Sequence, residues 1–211
     1  MIKINIFLAV LALTSCTDIP LELYKEGYKS LTTSMSDANP IDINESYVSN
    51  KPFDVIRLRV GRSEAVIMVL VNNANGIKEW ISSDRVKIFT ENGKVIKTIG
   101  LKHDIELNDF KKYLLIRDQK SGSFTSNFIE PKLLYLETQF DYAFTDQRYI
   151  KNIIEKRDSV LVDVYEENIF IERLHWRTRN FYFVRDGKIV RTEQQIHPLM
   201  KKISIDYVDA Y

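Results

Sequence analysis

Few residues in this chain are of the types that carry chemistry, and their spacing is uninformative for most enzyme classes. The single cysteine is Cys16, and the three histidines are His103, His175 and His197. No pair of them has ligand spacing such as H-x-x-x-H, and there is no second cysteine, so no metal site is expected. No G-x-S-x-G elbow, phosphate-binding loop or dinucleotide fingerprint occurs. Glu166 and Glu167 are adjacent carboxylates, whereas glycoside hydrolysis takes one protonated and one ionised acid flanking a sugar. Neighbours in sequence point to opposite faces of a strand or sit in a hairpin tip, so the pair reads as a solvated turn. No catalytic residue and no cofactor is assigned, and the chain is expected not to be an enzyme. The remaining candidates are Trp80, Trp176 and Arg177. An aromatic face beside polar donors suits a sugar ring, and Arg173, Arg177 and Arg179 could meet an acidic polymer. Core packing explains both tryptophans at least as well, and strand alternation would leave several of these arginines on one wet face anyway.

Cys16 acquires meaning from what precedes it. Lys3 supplies a short positive segment, residues 4–13 are apolar or, at Asn5, nearly so, and Leu13-Thr14-Ser15-Cys16 follows at once. The apolar run falls well short of the ~20 residues a helix needs to cross a bilayer core, so residues 1–15 read as a cleavable signal. Leu-Thr-Ser-Cys resembles the lipobox of bacterial lipoprotein precursors. The resemblance implies cleavage before Cys16, a diacylglycerol on its sulfur and a third acyl chain on its new amino group. Several chains hold durably where one does not, because each buried CH2 contributes about 0.8 kcal/mol. Residue 17 is Thr, and the first acid stands at Asp18. By the enterobacterial sorting rule, in which an Asp directly after the cysteine favours inner-membrane retention, this arrangement points to the outer membrane, with the protein facing the periplasm.

The chain of 211 residues has 45% hydrophobic and 28% charged residues, enough for a sizeable core. Removing residues 1–15 takes away Lys3 and no acid, so the 30 basic and 29 acidic side chains of the full chain become balanced. Neutrality gives no general attraction to nucleic acid, and no nucleic-acid partner is expected.

The elements that must position these residues are read from periodicity. Leu21, Tyr24, Tyr28 and Leu31 recur at helical spacing behind Pro20, predicting one short amphipathic helix. Residues 34–52 are rich in Asn, Asp, Ser and Pro and read as a linker. The division is therefore signal 1–15, lipidated terminus with helix and linker 16–52, and β domain 53–211. Ile56, Leu58 and Val60 alternate with Arg57 and Arg59, while residues 65–71 are apolar throughout and predict a strand covered on both sides. Asn75-Gly76, Asn92-Gly93 and Asp186-Gly187 mark hairpins. Strands are expected at 160–165 and 169–176 around Glu166-Glu167-Asn168, with others at 132–142 and 202–208. Residues 120–123 read as a flexible turn, and a helix is expected at 146–156. The hairpins at 88–98 and 182–192 align as an approximate repeat, motivating a reading of two similar halves. The whole is an all-β, mainly antiparallel meander, closed as a barrel or folded as a sandwich.

Further residues carry a family resemblance. Residues 56–71, then Gly76-Ile77-Lys78-Glu79-Trp80 and the 86–99 hairpin, precede the order Trp176, Asn180-Phe181-Tyr182-Phe183, Asp186-Gly187 and Gln194-Gln195-Ile196-His197-Pro198. With the lipobox, this pattern resembles the YjbF/GfcB lipoproteins encoded with group 4 capsule and related exopolysaccharide export genes. The resemblance implies a partly open β-barrel and a non-enzymatic accessory role in producing or exporting surface polysaccharide, with envelope proteins of that pathway as partners. The alternatives are a carbohydrate-binding module for the polysaccharide itself and an enzyme acting on glycan.

Overall fold

A computed structural model describes residues 53–108, 121–129, 134–152 and 158–208. Cys16 and the expected helix at 20–31 lie outside these. Among the described residues the strands are β1 (Val55–Val60), β2 (Val66–Ala74), β3 (Ile77–Ile81), β4 (Lys87–Glu91), β5 (Lys94–Ile99) and β6 (Ile105–Asn108), followed by β7 (Ser121–Phe128), β8 (Leu134–Lys151), β9 (Ser159–Ile171), β10 (Trp176–Arg185), β11 (Lys188–Gln194) and β12 (Ile203–Tyr207). Each pairs antiparallel with the next, and β12 returns to β1. The all-β meander expected from the sequence is thus present, and the barrel is closed rather than partly open. Closure satisfies the backbone groups that an open edge would leave unpaired.

The closing seam is built by alternation in β1. Ile56 and Leu58 enter the core, and Arg57 stands on the other face opposite Asp206 of β12. Asp206 accepts from Arg57 at 2.8 and 3.0 Å and from Arg191 of β11 at 2.5 Å. One carboxylate therefore ties three neighbouring strands. The interior below holds two apolar clusters: Ile56, Met68, Trp80, Ile88, Ile203 and Ile205 are almost wholly buried in one, beside a second containing Phe124, Phe140, Tyr142, Ile169 and Tyr182.

The two Asx-Gly hairpins singled out as a repeat share their local geometry. Asn92 and Gly93 have φ of 46° and 77°, Asp186 and Gly187 of 49° and 78°, the positive values that a type I′ turn requires at both central positions. Each hairpin also carries a bulge at the matching place, with Ile96 in β5 and Val190 in β11 as the extra residue. Their surroundings differ: Glu91 and Lys94 are buried, whereas Asp186 and Lys188 are exposed.

The sequence pattern of residues 160–176 predicts two strands around a turn at Glu166-Glu167-Asn168, but β9 runs unbroken from Ser159 to Ile171. The pattern that suggests a break is a change of phase. Val162 and Val164 are buried on the face they share with Phe183, while Glu167, Ile169 and Ile171 are buried on the opposite face. One strand covers its two faces in succession, with Ile150, Val162, Val164, Phe183 and Val190 forming a separate apolar cluster. Ser121-Gly122-Ser123, expected as a turn, opens β7. Residues 146–151, expected to begin a helix, belong to β8, whose register against β9 shifts between Phe144 and Asp146.

Candidate functional site

Glu167 is the centre of the interior. It is 0% exposed and lies opposite Asn180 of β10. One carboxylate oxygen accepts from Lys94 Nζ and from Tyr142 Oη at 2.7 Å. The other accepts from Asn180 Nδ2 at 2.9 Å and Tyr182 Oη at 2.8 Å. Asn180 is held in turn, because its Oδ1 accepts from the Gln195 amide at 2.8 Å. Lys94 arrives from across the barrel: the β4–β5 turn rests against β11, where Gln194 accepts from the Val95 amide at 3.0 Å and donates to the Gly93 carbonyl at 2.7 Å. The ammonium then lies 4.4 Å from the Phe124 ring centre and 5.3 Å from that of Phe140.

The electrostatics follow from burial competing with partners. Burial raises the Glu167 pKa, but the Lys94 charge and the donors from Lys94, Asn180 and Tyr142 together outweigh it and hold the group below its ordinary value. Burial lowers Lys94 against the pull of Glu167, and burial with the adjacent carboxylate raises Tyr142 and Tyr182 well above the usual phenol range. A carboxylate engaged by four donors has little capacity left to accept a substrate proton. The space beside Lys94 amounts to about 20 Å³, far below the several hundred Å³ of a typical ligand pocket. This constellation ties the β4–β5 turn to β8, β9 and β10.

The outward side of the same strands is different. Ser123, Gln139, Phe170 and Arg177 stand opposite one another across β7–β10, and Ser121, Asp141, Asn168 and Arg179 form the adjacent row. Both rows line a groove of about 900 Å³, with Glu137 also on its wall. Arg177 is exposed and its guanidinium carbon lies 4.6 Å from the Phe170 ring centre. Asn168 donates to Asp141 at 2.9 Å, and Arg179 lies 3.8 Å from the Glu166 carboxylate.

The candidates taken from sequence separate accordingly. Trp80 is 1% exposed and its indole N–H donates to Thr90 at 2.8 Å, so its ring is not presented to a sugar. Trp176 is half-buried and packs against both interior clusters. Arg177 alone of the three lies in the groove. Glu166 and Glu167 face opposite sides of β9, as alternation requires, but Glu167 is sealed inside rather than solvated. His103 and His197, distant in sequence, stack with ring centres 4.9 Å apart. Among the described residues no group of three or more potential metal ligands gathers. The partners of Glu167 were missed because no local spacing announces them. Buried Asn and Tyr alternating at Asn180 and Tyr182 were the available signal.

Similarity to known proteins bears on the same residues. The family described as "Group 4 capsule polysaccharide lipoprotein gfcB, YjbF" matches residues 28–208. The chain belongs to the YjbF family. A relative, the uncharacterized lipoprotein YjbF of Escherichia coli (strain K12), is 22% identical over 181 residues, covering 82% of each chain. The crystal structure of the hypothetical lipoprotein YmcC from Escherichia coli (K12) superposes with a TM-score of 0.69 at 16% identity, covering 86% of this chain and 94% of that one. At that identity the likeness establishes a shared fold. In this YjbF-family member the matched region includes Lys94, Glu167 and the whole groove.

Proposed function

We propose that the protein is a lipid-anchored envelope component acting as a non-enzymatic accessory factor in producing or exporting capsule or related exopolysaccharide. Export, cleavage before Cys16 and acylation there place it on the periplasmic face of the outer membrane, where it contacts other envelope proteins of the pathway. The observation that carries this reading is the family match over residues 28–208, downstream of the lipobox. Two features of the barrel support it. The interior carboxylate is saturated by donors and closed off, which suits a structural role better than acid–base chemistry. The outer face around the groove on β8 and β10 is also charged, at Glu137, Asp141, Arg177 and Arg179, where a membrane-spanning barrel would carry an apolar band. Anchoring then falls to Cys16.

Membrane fractionation with mass spectrometry of the wild type and Cys16→Ala tests the anchor. The expected amino terminus is an acylated Cys16 in outer-membrane fractions, and the variant should leave the membrane or stay uncut. Deleting the gene should lower surface polysaccharide. Unchanged polysaccharide in the deletion strain would overturn the role.

A further inference from the structure

We propose that the outward groove across β7–β10 binds a segment of acidic polysaccharide, with a uronate-type carboxylate on Arg177 and the sugar ring packed beside the Phe170–Arg177 stack. Four observations meet here. The groove, at about 900 Å³, is large enough for several sugar rings and is open along a sheet face. Phe170 supplies an aromatic platform, and the Arg177 guanidinium lies over that ring, 4.6 Å from its centre. Among the described residues Arg177 forms no ion pair with a carboxylate, unlike Arg57 and Arg191, which share Asp206. A guanidinium already held on a ring loses little freedom when it takes a carboxylate as a two-point ligand.

The remaining polar groups fit the same occupant. Gln139 stands in register between Ser123 and Phe170, offering an amide to ring hydroxyls. The charges are divided: Glu137 and Asp141 lie on the β8 side, Asp141 tied to Asn168, and Arg177 and Arg179 lie on the β10 side, where Arg179 is 3.8 Å from Glu166 and Arg177 is left to meet a ligand carboxylate. A sugar acid laid across the strands would direct its carboxylate to β10 and its hydroxyls to the acceptors of β8. A neutral glucan would leave Arg177 without a counter-charge, and a polyanion without sugar hydroxyls would meet Asp141 unfavourably.

The inference rests on the pathway reading only for its choice of ligand class. The test uses full-length lipidated protein in nanodiscs and measures binding of galacturonate, mannuronate and hyaluronan hexamers, with maltohexaose as the neutral comparator. Saturable binding of at least one acidic hexamer, weaker binding of maltohexaose and loss on raising salt are expected. Arg177→Ala should weaken binding about tenfold or more, Arg177→Lys should restore part of it, and Phe170→Ala should weaken it severalfold. Arg62→Ala, in the exposed β1–β2 turn, should bind as wild type. No binding to any acidic hexamer, equal binding of maltohexaose, or full binding by a folded Arg177→Ala would overturn the proposal. A non-binding protein could still be required for surface polysaccharide, and a binding one could be dispensable, so this result and the deletion phenotype fail separately.

Discussion

The β4–β5 and β10–β11 hairpins begin from nearly the same instructions and finish in different places. Each has an Asx-Gly turn with positive φ, a lysine directly after the glycine, and a bulge two residues beyond that lysine. Yet Lys94 is 4% exposed and paired with Glu167, while Lys188 is exposed to solvent. Local sequence sets how a hairpin bends. Which way its tip turns is decided by what waits across the barrel, here a carboxylate with three other donors and the amide of Gln194.

The sharpest way to break the contrast is to remove one lysine at a time. Lys94→Met leaves Glu167 buried without its counter-charge and should cost about 3–5 kcal/mol, read as a lowered urea midpoint. Lys188→Met should change stability by under about 0.5 kcal/mol, the usual range for a surface substitution. Adding Glu167→Gln to Lys94→Met should recover much of the loss, since this cluster then holds no unpaired charge. Equal effects at the two lysines would mean that the interior pair does not secure the β4–β5 turn.

Acidification probes the same pair. Glu167 is held below its ordinary value of 4.5 in the folded protein. Its contribution is therefore complete above about pH 4.5 and is lost as pH falls through the lowered folded value. Wild type should lose stability steeply in that acidic window, and Glu167→Gln should show a shallower dependence there. Urea denaturation at a series of pH values measures both slopes.

Glycine substitutions sharpen the comparison at smaller scale. A Cβ at Gly93 would sit 2.7 Å from Ile189 Cδ1 and 3.1 Å from its Cγ2, at φ +77°, so Gly93→Ala combines backbone strain with a clash against β11. A loss of about 2–3 kcal/mol is expected. Gly76 turns between β2 and β3 at φ +83° with nothing within 4 Å of its Cβ, so Gly76→Ala should show the backbone cost alone, about 1 kcal/mol. Thermal or urea unfolding of the two variants would show whether the Gly93 turn is truly seated.

How much of this was legible in the sequence depends on distance along the chain. The Asx-Gly turns and the alternation of Ile56 and Leu58 with Arg57 and Arg59 are local and gave strands where strands are found. The unbroken course of β9 was not legible, because its valines and isoleucines fall out of phase at Glu166 and a phase change looks like a turn. Lys94 resembled any turn lysine, since its partner lies 73 residues away. Arg177 could be named as a candidate, but Phe170 and Gln139 join it only through the register of β8, β9 and β10. The two tryptophans were less informative than their size suggests, because large aromatic rings serve cores first.

The seam between β1 and β12 bears on the order in which the molecule can assemble. The first and last strands of the barrel are partners, so a chain delivered amino terminus first cannot close until Tyr207 has arrived. Until then β1 and the growing end each offer an unpaired backbone edge to any neighbour. The Arg57–Asp206–Arg191 tie lies at this last joint. Its charges come from both ends of the β domain and can neutralise one another only when the ring is complete, so a barrel truncated before Ile203 would lose its closing strand and leave two arginines beside an open edge.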